Sequence, residues 1–136
     1  MRELTVSAVV ENLDVVTDFV NAQLDAMGCP MKIQMKIAVV IDEVFSNIAR
    51  YAYPEGNGEA TVLVEALENP LGMSMTFVDQ GLQYNPLEKE DPDITLAINE
   101  RQVGGLGVFM IKKLMDEVYY EYKDGQNRFT MTKYFA

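Results

Sequence analysis

The sequence contains no histidine, and that absence excludes several chemistries together. A Ser-His-Asp triad, a histidine-ligated zinc site and phosphorylation on an internal histidine are all ruled out, so acid–base work falls to carboxylates, lysine or tyrosine. Basic residues are scarce: 11 Lys and Arg stand against 21 Asp and Glu, a formal charge of −10. Such a surface repels a phosphate backbone or an anionic membrane, so neither nucleic acid nor membrane is an expected direct partner. The single cysteine, Cys29, has no partner for an internal disulfide, and the first residues show neither the basic start nor the apolar stretch of a secretory signal; both point to a reducing cytoplasm. The longest apolar run, Ile37 to Ile41, is far short of the roughly 20 residues a membrane span needs. No G-x-x-x-x-G-K-[ST] occurs, which removes a P-loop, and no G-x-G-x-x-G follows a strand.

What is present is one core's worth of chain. With 136 residues at 49% hydrophobic content, a single domain over 1–136 is expected. Leu4 to Val10 is β-prone, and Leu13, Val16, Val20, Leu24 and Met27 follow at helical spacing up to a Gly28 stop. Pro30 opens a second helix with the stripe Ile33, Ile37, Ile41, Val44 and Ile48, running to Tyr53 before Pro54 and Gly56. Strands are expected at Ala60 to Leu67 and Leu71 to Asp79, joined across Asn69 and Pro70. Residues of about 80–105 turn polar, with the acidic run Glu88, Glu90, Asp91 and Asp93 and at most a short helix around Ile94 to Asn99, the profile of a lid or binding loop. A helix carrying Val108, Ile111, Leu114 and Met115 then leads into a hairpin turning at Asp124, Gly125 and Gln126. The order β-α-α-β-β-lid-α-β-β implies a two-layer α+β sandwich, a mixed sheet covered on one face by helices.

Three segments carry candidate chemistry. In EVFSNIARYAY, Glu43, Asn47 and Arg50 fall within roughly 60° of one another on the helix surface, at the margin of the apolar stripe. An Asn oxygen suits a magnesium ion that keeps its waters and shares phosphate oxygens, and a nearby carboxylate can accept a proton from a hydroxyl; an ordinary solvated helix face is the plainer reading. In DQGLQYNPL, Asp79 ends the apolar row Met73, Met75 and Phe77, so its carboxylate needs a partner. An adenine amino group would serve, with Gly81 allowing close approach to the flat base; a strand-ending turn with a solvated Asp is the alternative. In GGLGVFMIKKLMDEV, Gly104, Gly105 and Gly107 precede a helix, where free amides and the positive dipole end suit a phosphate; a flexible linker is the alternative.

Taken in this order and spacing, the segments resemble the N box, G1 box and G2 box of the GHKL superfamily, which includes gyrase, heat-shock protein 90, histidine kinases and MutL. The likeness is nearest to the anti-sigma-factor serine kinases. Glu43, Asn47, Tyr51, Ala52 and Tyr53 match the first box, and Asp79, Gly81, Tyr84, Asn85, Pro86 and Leu87 the second. GGLG-x-x-x-I-x-K-L-M-D-E-V-x-Y and a later D-G-x-N-x-x-x-M-x-K run from Gly104 to Lys133. Tyr51 stands where many relatives have His, Gln83 replaces a second glycine, and Asn85 stands for the more usual Asp.

The resemblance implies a Bergerat-type ATP-binding fold with a mobile lid and a serine/threonine kinase acting as an anti-sigma regulatory factor. It further implies Glu43 as general base, Asn47 as the Mg2+ ligand and Asp79 as the adenine reader. Gly104, Gly105, Leu106 and Gly107 would form the phosphate cradle, and Arg101 would be a lid arginine facing the terminal phosphate. The implied partners are an anti-anti-sigma-type protein, a sigma factor and a second copy of the chain. The competing function is a silent module in which ATP sets the lid and so the affinity for a partner.

Overall fold

The computed structural model describes residues 1–88 and 105–136, with the side chains of residues 105 and 106 left aside. The short helix expected near Ile94 to Asn99, most of the acidic run, and Arg101 and Gly104 lie outside the described residues.

The chain begins with strand β1 (Arg2–Ser7), followed by helices α1 (Leu13–Ala26) and α2 (Met31–Asn47). Strands β2 (Glu59–Leu67) and β3 (Gly72–Asp79) come next, then helix α3 (Gly105–Leu114) and strands β4 (Glu117–Lys123) and β5 (Gln126–Tyr134). Among the described residues the elements follow the expected order, while most of the lid expected over about 80–105 lies outside them; β1 ends at Ser7, and a short 3-10 turn, Val10–Asn12, starts at the last residue of the β-prone stretch. Asn12 secures that corner by donating from Nδ2 to the Ser7 carbonyl at 2.9 Å.

One five-stranded sheet runs in the order β1-β2-β3-β5-β4. Every pairing in it is antiparallel, which corrects the expectation of a mixed sheet. The reason is topological. Two helical passes between β1 and β2 return the chain reversed, and β3 is followed after α3 by β4, which would run parallel to β3 if it lay beside it. Instead β4 lies outside, and its hairpin partner β5, running the other way, takes the place next to β3. That hairpin closes on Asp124 and Gly125 with φ of 54° and 77°, the pair of positive angles that a two-residue turn of matching twist requires.

Alternation along the strands sets the layers. Val62, Phe77 and Phe129 align across three strands, as do Val64, Met75 and Met131, and all are buried under the helices. The opposite face is polar, with Thr5 bonded to Thr61 at 2.7 Å and Thr76 to Thr130 at 2.9 Å. The helices answer with Val16, Val20 and Leu24 of α1 and Ile37, Ile41, Val44 and Phe45 of α2, all buried. Gly28, at φ 74°, ends α1 in the left-handed turn. Buried Gln34 then ties the connection by donating to Asp25 Oδ1 at 2.8 Å and to the Cys29 carbonyl at 3.1 Å.

Two features of this frame position the site. The buried row ends on polar groups, because the register places Ala60, Asp79 and Asn127 side by side. And α2 gives way at its C-terminal end to a π turn, Ile48–Ala52, where the apolar stripe had implied continuous α-helix.

Candidate nucleotide-binding site

The first half of the site is built on α2 and α3. Glu43 and Asn47 sit one turn apart, and Asn47 donates from Nδ2 to Glu43 Oε1 at 3.1 Å, which fixes the carboxylate on one face of the helix. α3 starts directly above it: a Cβ added at Gly107 would lie 1.8 Å from Glu43 Oε1 and 2.2 Å from Cδ. Only glycine lets the first turn of α3 come this close, so the glycine at this position serves contact with the proposed base. The cleft between the two helices, about 160 Å³, is lined by Asp42, Glu43, Ser46, Arg50 and Gly107 among others. Ser46 is held in it by a bond to Asp42 Oδ1 at 3.0 Å. Arg50 is exposed and reaches this cleft from the π turn, whose wider winding changes its angular place relative to Glu43 from that of a straight helix.

The second half lies at the far end of the π turn. Gly81 abuts Ala52, where a Cβ would stand 2.3 Å from the carbonyl oxygen, and Leu82 N–H donates to that same oxygen at 2.9 Å. The close approach that Gly81 permits is thus made by the Ala52 backbone. Tyr53 acts as a clamp: its hydroxyl donates to the Glu59 carbonyl at 2.6 Å and accepts from Gln80 N–H at 2.7 Å, while its ring covers Gly58. Burial foremost raises the Tyr53 phenol above its ordinary value, with its two backbone bonds opposing the rise.

Asp79, 7% exposed, has the partner that its place in the apolar row demanded. Its Oδ1 accepts from Asn127 Nδ2 at 2.9 Å and from Gly81 N–H at 2.9 Å. Asn127, also buried, donates to the Leu82 carbonyl at 2.8 Å and accepts from Tyr84 N–H at 3.1 Å and Tyr120 hydroxyl at 2.5 Å. Burial is the main cause that raises the Tyr120 phenol, with the Asp79 charge adding to it.

The structure therefore brings Glu43, Asn47, Arg50 and Gly107 together, and gathers Asp79 and Gly81 at the other end of the same π turn. Gly105 and Leu106 belong to the first turn of α3, and Arg101 and Gly104 lie outside the described residues. Asn127, Tyr53 and Tyr120 were not singled out by residue chemistry. The Asn of the D-G-x-N motif was visible, but its contact with Asp79 depends on β5 lying beside β3.

The site residues fit a magnesium ion that travels with a nucleotide. Asn47 commits its Nδ2 to Glu43, so its amide oxygen faces elsewhere and is a single neutral ligand. Among the described residues no group of three or more acidic or thiol side chains could hold a metal ion without phosphate oxygens. Nor is any helix among them long and apolar enough to cross a membrane.

Comparison with known proteins places these features in context. A family model described as a histidine kinase-like ATPase domain matches residues 6–133. Serine/threonine-protein kinase BtrW of Bordetella bronchiseptica is 24% identical over 105 residues, covering 77% of this chain and 73% of that protein. Serine-protein kinase RsbW of Bacillus thuringiensis is 31% identical over 102 residues, covering 74% of this chain; the match spans 62% of the relative's length. Among solved structures, that of the RsbU and RsbW domains of Rv1364c from Mycobacterium tuberculosis superimposes with a TM-score of 0.67 over 98% of this chain and 32% of the other. At 15% identity that likeness bears on the fold alone.

Proposed function

Because the chain belongs to the histidine kinase-like ATPase domain family, we propose that it is an ATP-dependent protein serine/threonine kinase that acts as an anti-sigma regulatory factor. Its substrate is a serine or threonine hydroxyl on an anti-anti-sigma-type protein, and its second partner is a sigma factor. The observation that carries this reading is the Glu43 carboxylate, held by Asn47 against the first turn of α3. A helix N-terminus favours phosphate, and the same spot holds a carboxylate able to take a proton.

In the proposed reaction ATP lies along the π turn, with its base toward Asp79 and its phosphates toward the α2–α3 cleft. The partner's hydroxyl oxygen attacks the γ-phosphorus, the bond from that phosphorus to the β,γ-bridging oxygen breaks, and ADP leaves with the electron pair. The hydroxyl proton passes to Glu43. Arg50, in the same cleft, attracts the phosphate charge. A magnesium ion bound through Asn47 Oδ1 would supply charge neutralisation on the phosphate oxygens. Positioning and electrostatics provide most of the acceleration in such transfers.

The protein works in the cytoplasm, where buried, free Cys29 stays reduced. It acts as a homodimer that covers the edge strand β1; sedimentation showing a monomer at high micromolar concentration removes that part of the proposal. The kinase step is tested by incubating the protein with Mg-ATP and an anti-anti-sigma-type partner, then locating phosphoserine by mass spectrometry. Glu43→Gln keeps ATP binding measured by calorimetry while transfer falls by roughly 10²-fold or more. A wild type that transfers no phosphate to a partner whose affinity ATP alters defeats the kinase reading and leaves a nucleotide-gated binding module.

A further inference from the structure

From the hydrogen bonds around Asp79 we infer that Asn127 is a positioning residue that sets base selectivity, by aiming the Asp79 carboxylate so that a 6-amino purine is accepted and a 6-oxo purine refused. The inference rests on the reading of Asp79 as the group that meets the base.

A primary amide has two N–H donors and an oxygen with two lone pairs. Asn127 uses all four: Nδ2 serves Asp79 Oδ1 and the Leu82 carbonyl, and Oδ1 receives Tyr84 N–H and the Tyr120 hydroxyl. Turning the amide over would set its oxygen against a carboxylate and a carbonyl, and its NH2 against a backbone N–H. One orientation is therefore imposed by four neighbours, three from the end of β3 and the loop after it and one from β4, and it presents N–H to Asp79. Asp79 Oδ1 in turn is occupied twice, by Asn127 and by Gly81 N–H. Among the described residues no donor reaches Oδ2. That oxygen is the acceptor left to the ligand.

The consequence is chemical. The amino group of adenine donates to Oδ2, whereas the 6-oxygen of hypoxanthine or guanine would meet it oxygen to oxygen. Asn127 also carries the loop, since Leu82 and Tyr84 are bound to the same side chain that orients Asp79. Without it the carboxylate can turn on its own bond, and the loop can follow.

The test compares ATP with ITP, both with magnesium, by calorimetry on the full chain. Wild type is expected to favour ATP by roughly 10- to 100-fold, the range for one hydrogen bond to a charged group. Asn127→Leu, similar in shape, is expected to reduce that ratio about tenfold by weakening ATP far more than ITP. A merely structural role would weaken both equally and leave the ratio intact. Should Asn127→Leu fail to fold, Tyr120→Phe decides: it removes one bond to Asn127 Oδ1, and the ratio is expected to fall about threefold, by the weakening of one neutral hydrogen bond. A wild-type ratio that persists in the folded variants overturns the role of Asn127 while leaving Asp79 as the base reader. A wild type that binds ATP and ITP equally overturns the reading of Asp79 itself, and the inference with it.

Discussion

Replacing Gly107 with alanine puts a methyl group where the structure holds a carboxylate. The added Cβ would lie 1.8 Å from Glu43 Oε1, 2.2 Å from Cδ and 2.8 Å from Oε2, so the carboxyl group must retreat by more than 1 Å or α3 must lift. Retreat breaks the 3.1 Å bond from Asn47, at a net loss of about 0.5–1.5 kcal/mol. Alanine in place of glycine in a helix returns up to about 1 kcal/mol. The two terms nearly cancel, so the urea midpoint of Gly107→Ala should stay close to that of wild type. Activity has no such compensation. A displacement of about 1 Å in a catalytic group can cost 10²-fold, and single-turnover phosphoryl transfer should fall by about that factor. The pairing is checked in a second background: with Glu43→Ala already present, the methyl group has room and Gly107→Ala should stabilise by up to about 1 kcal/mol. Wild-type transfer by Gly107→Ala, or the same stability change in both backgrounds, would refute the contact as the reason for glycine.

Asp79→Asn should remove ATP-dependent stabilisation while leaving the ligand-free protein folded. At a ligand concentration of 100 times Kd the wild type gains about 2.7 kcal/mol, or about 10 °C in Tm for a chain of this size; equal thermal shifts in the two proteins would remove Asp79 from the base site. Tyr53→Phe deletes the hydroxyl that joins Glu59 and Gln80 and should cost about 1–2 kcal/mol, read from urea melts. The same variant has a pH signature. The folded-state phenol of Tyr53 is raised above 10, so its contribution is fully present below the unfolded value and is lost as pH climbs through the folded one. Wild-type stability should therefore decline above about pH 10 more steeply than that of Tyr53→Phe; parallel curves would show that this phenol is not among the groups responsible.

What was legible in the sequence was whatever repeats locally. The stripes Val16, Val20, Leu24 and Ile37, Ile41, Val44 identified α1 and α2 because each faces one sheet over several turns. Alternation of Met73, Met75 and Phe77 placed Asp79 on the buried side of β3, and the demand for a partner followed. The identity of that partner did not. Asn127 is 48 positions away in sequence, and only the placement of β5 between β3 and β4 sets the two side by side. The same placement makes the sheet antiparallel, so one fact invisible to local pattern accounts for both the corrected sheet and the unforeseen asparagine. The π turn escaped notice for a related reason: the apolar spacing to Ile48 continues without a break, and neither proline nor glycine marks the change of winding at that point.

That change of winding joins the two halves of the site. Glu43, which lines the α2–α3 cleft, and Asn47, bonded to it, precede the turn, while Ala52 and Tyr53, at its end, receive Leu82, Gln80 and Gly81 from the loop after β3. A nucleotide with its base at Asp79 and its phosphates at Glu43 would lie along this one turn. A straight α-helical continuation would carry Ala52 and Tyr53 to a different angle and break the bonds by which they hold the base-side loop. A π turn inserted at a functional segment is a recurrent device, and here its effect is specific. The carboxylate proposed as base and the carboxylate proposed as base reader are referred to the same five residues, Ile48–Ala52, so a shift in that turn would move both ends of the nucleotide together. If both roles hold, coupling between base recognition and phosphoryl transfer would be a property of the backbone and would need no contact between Asp79 and Glu43.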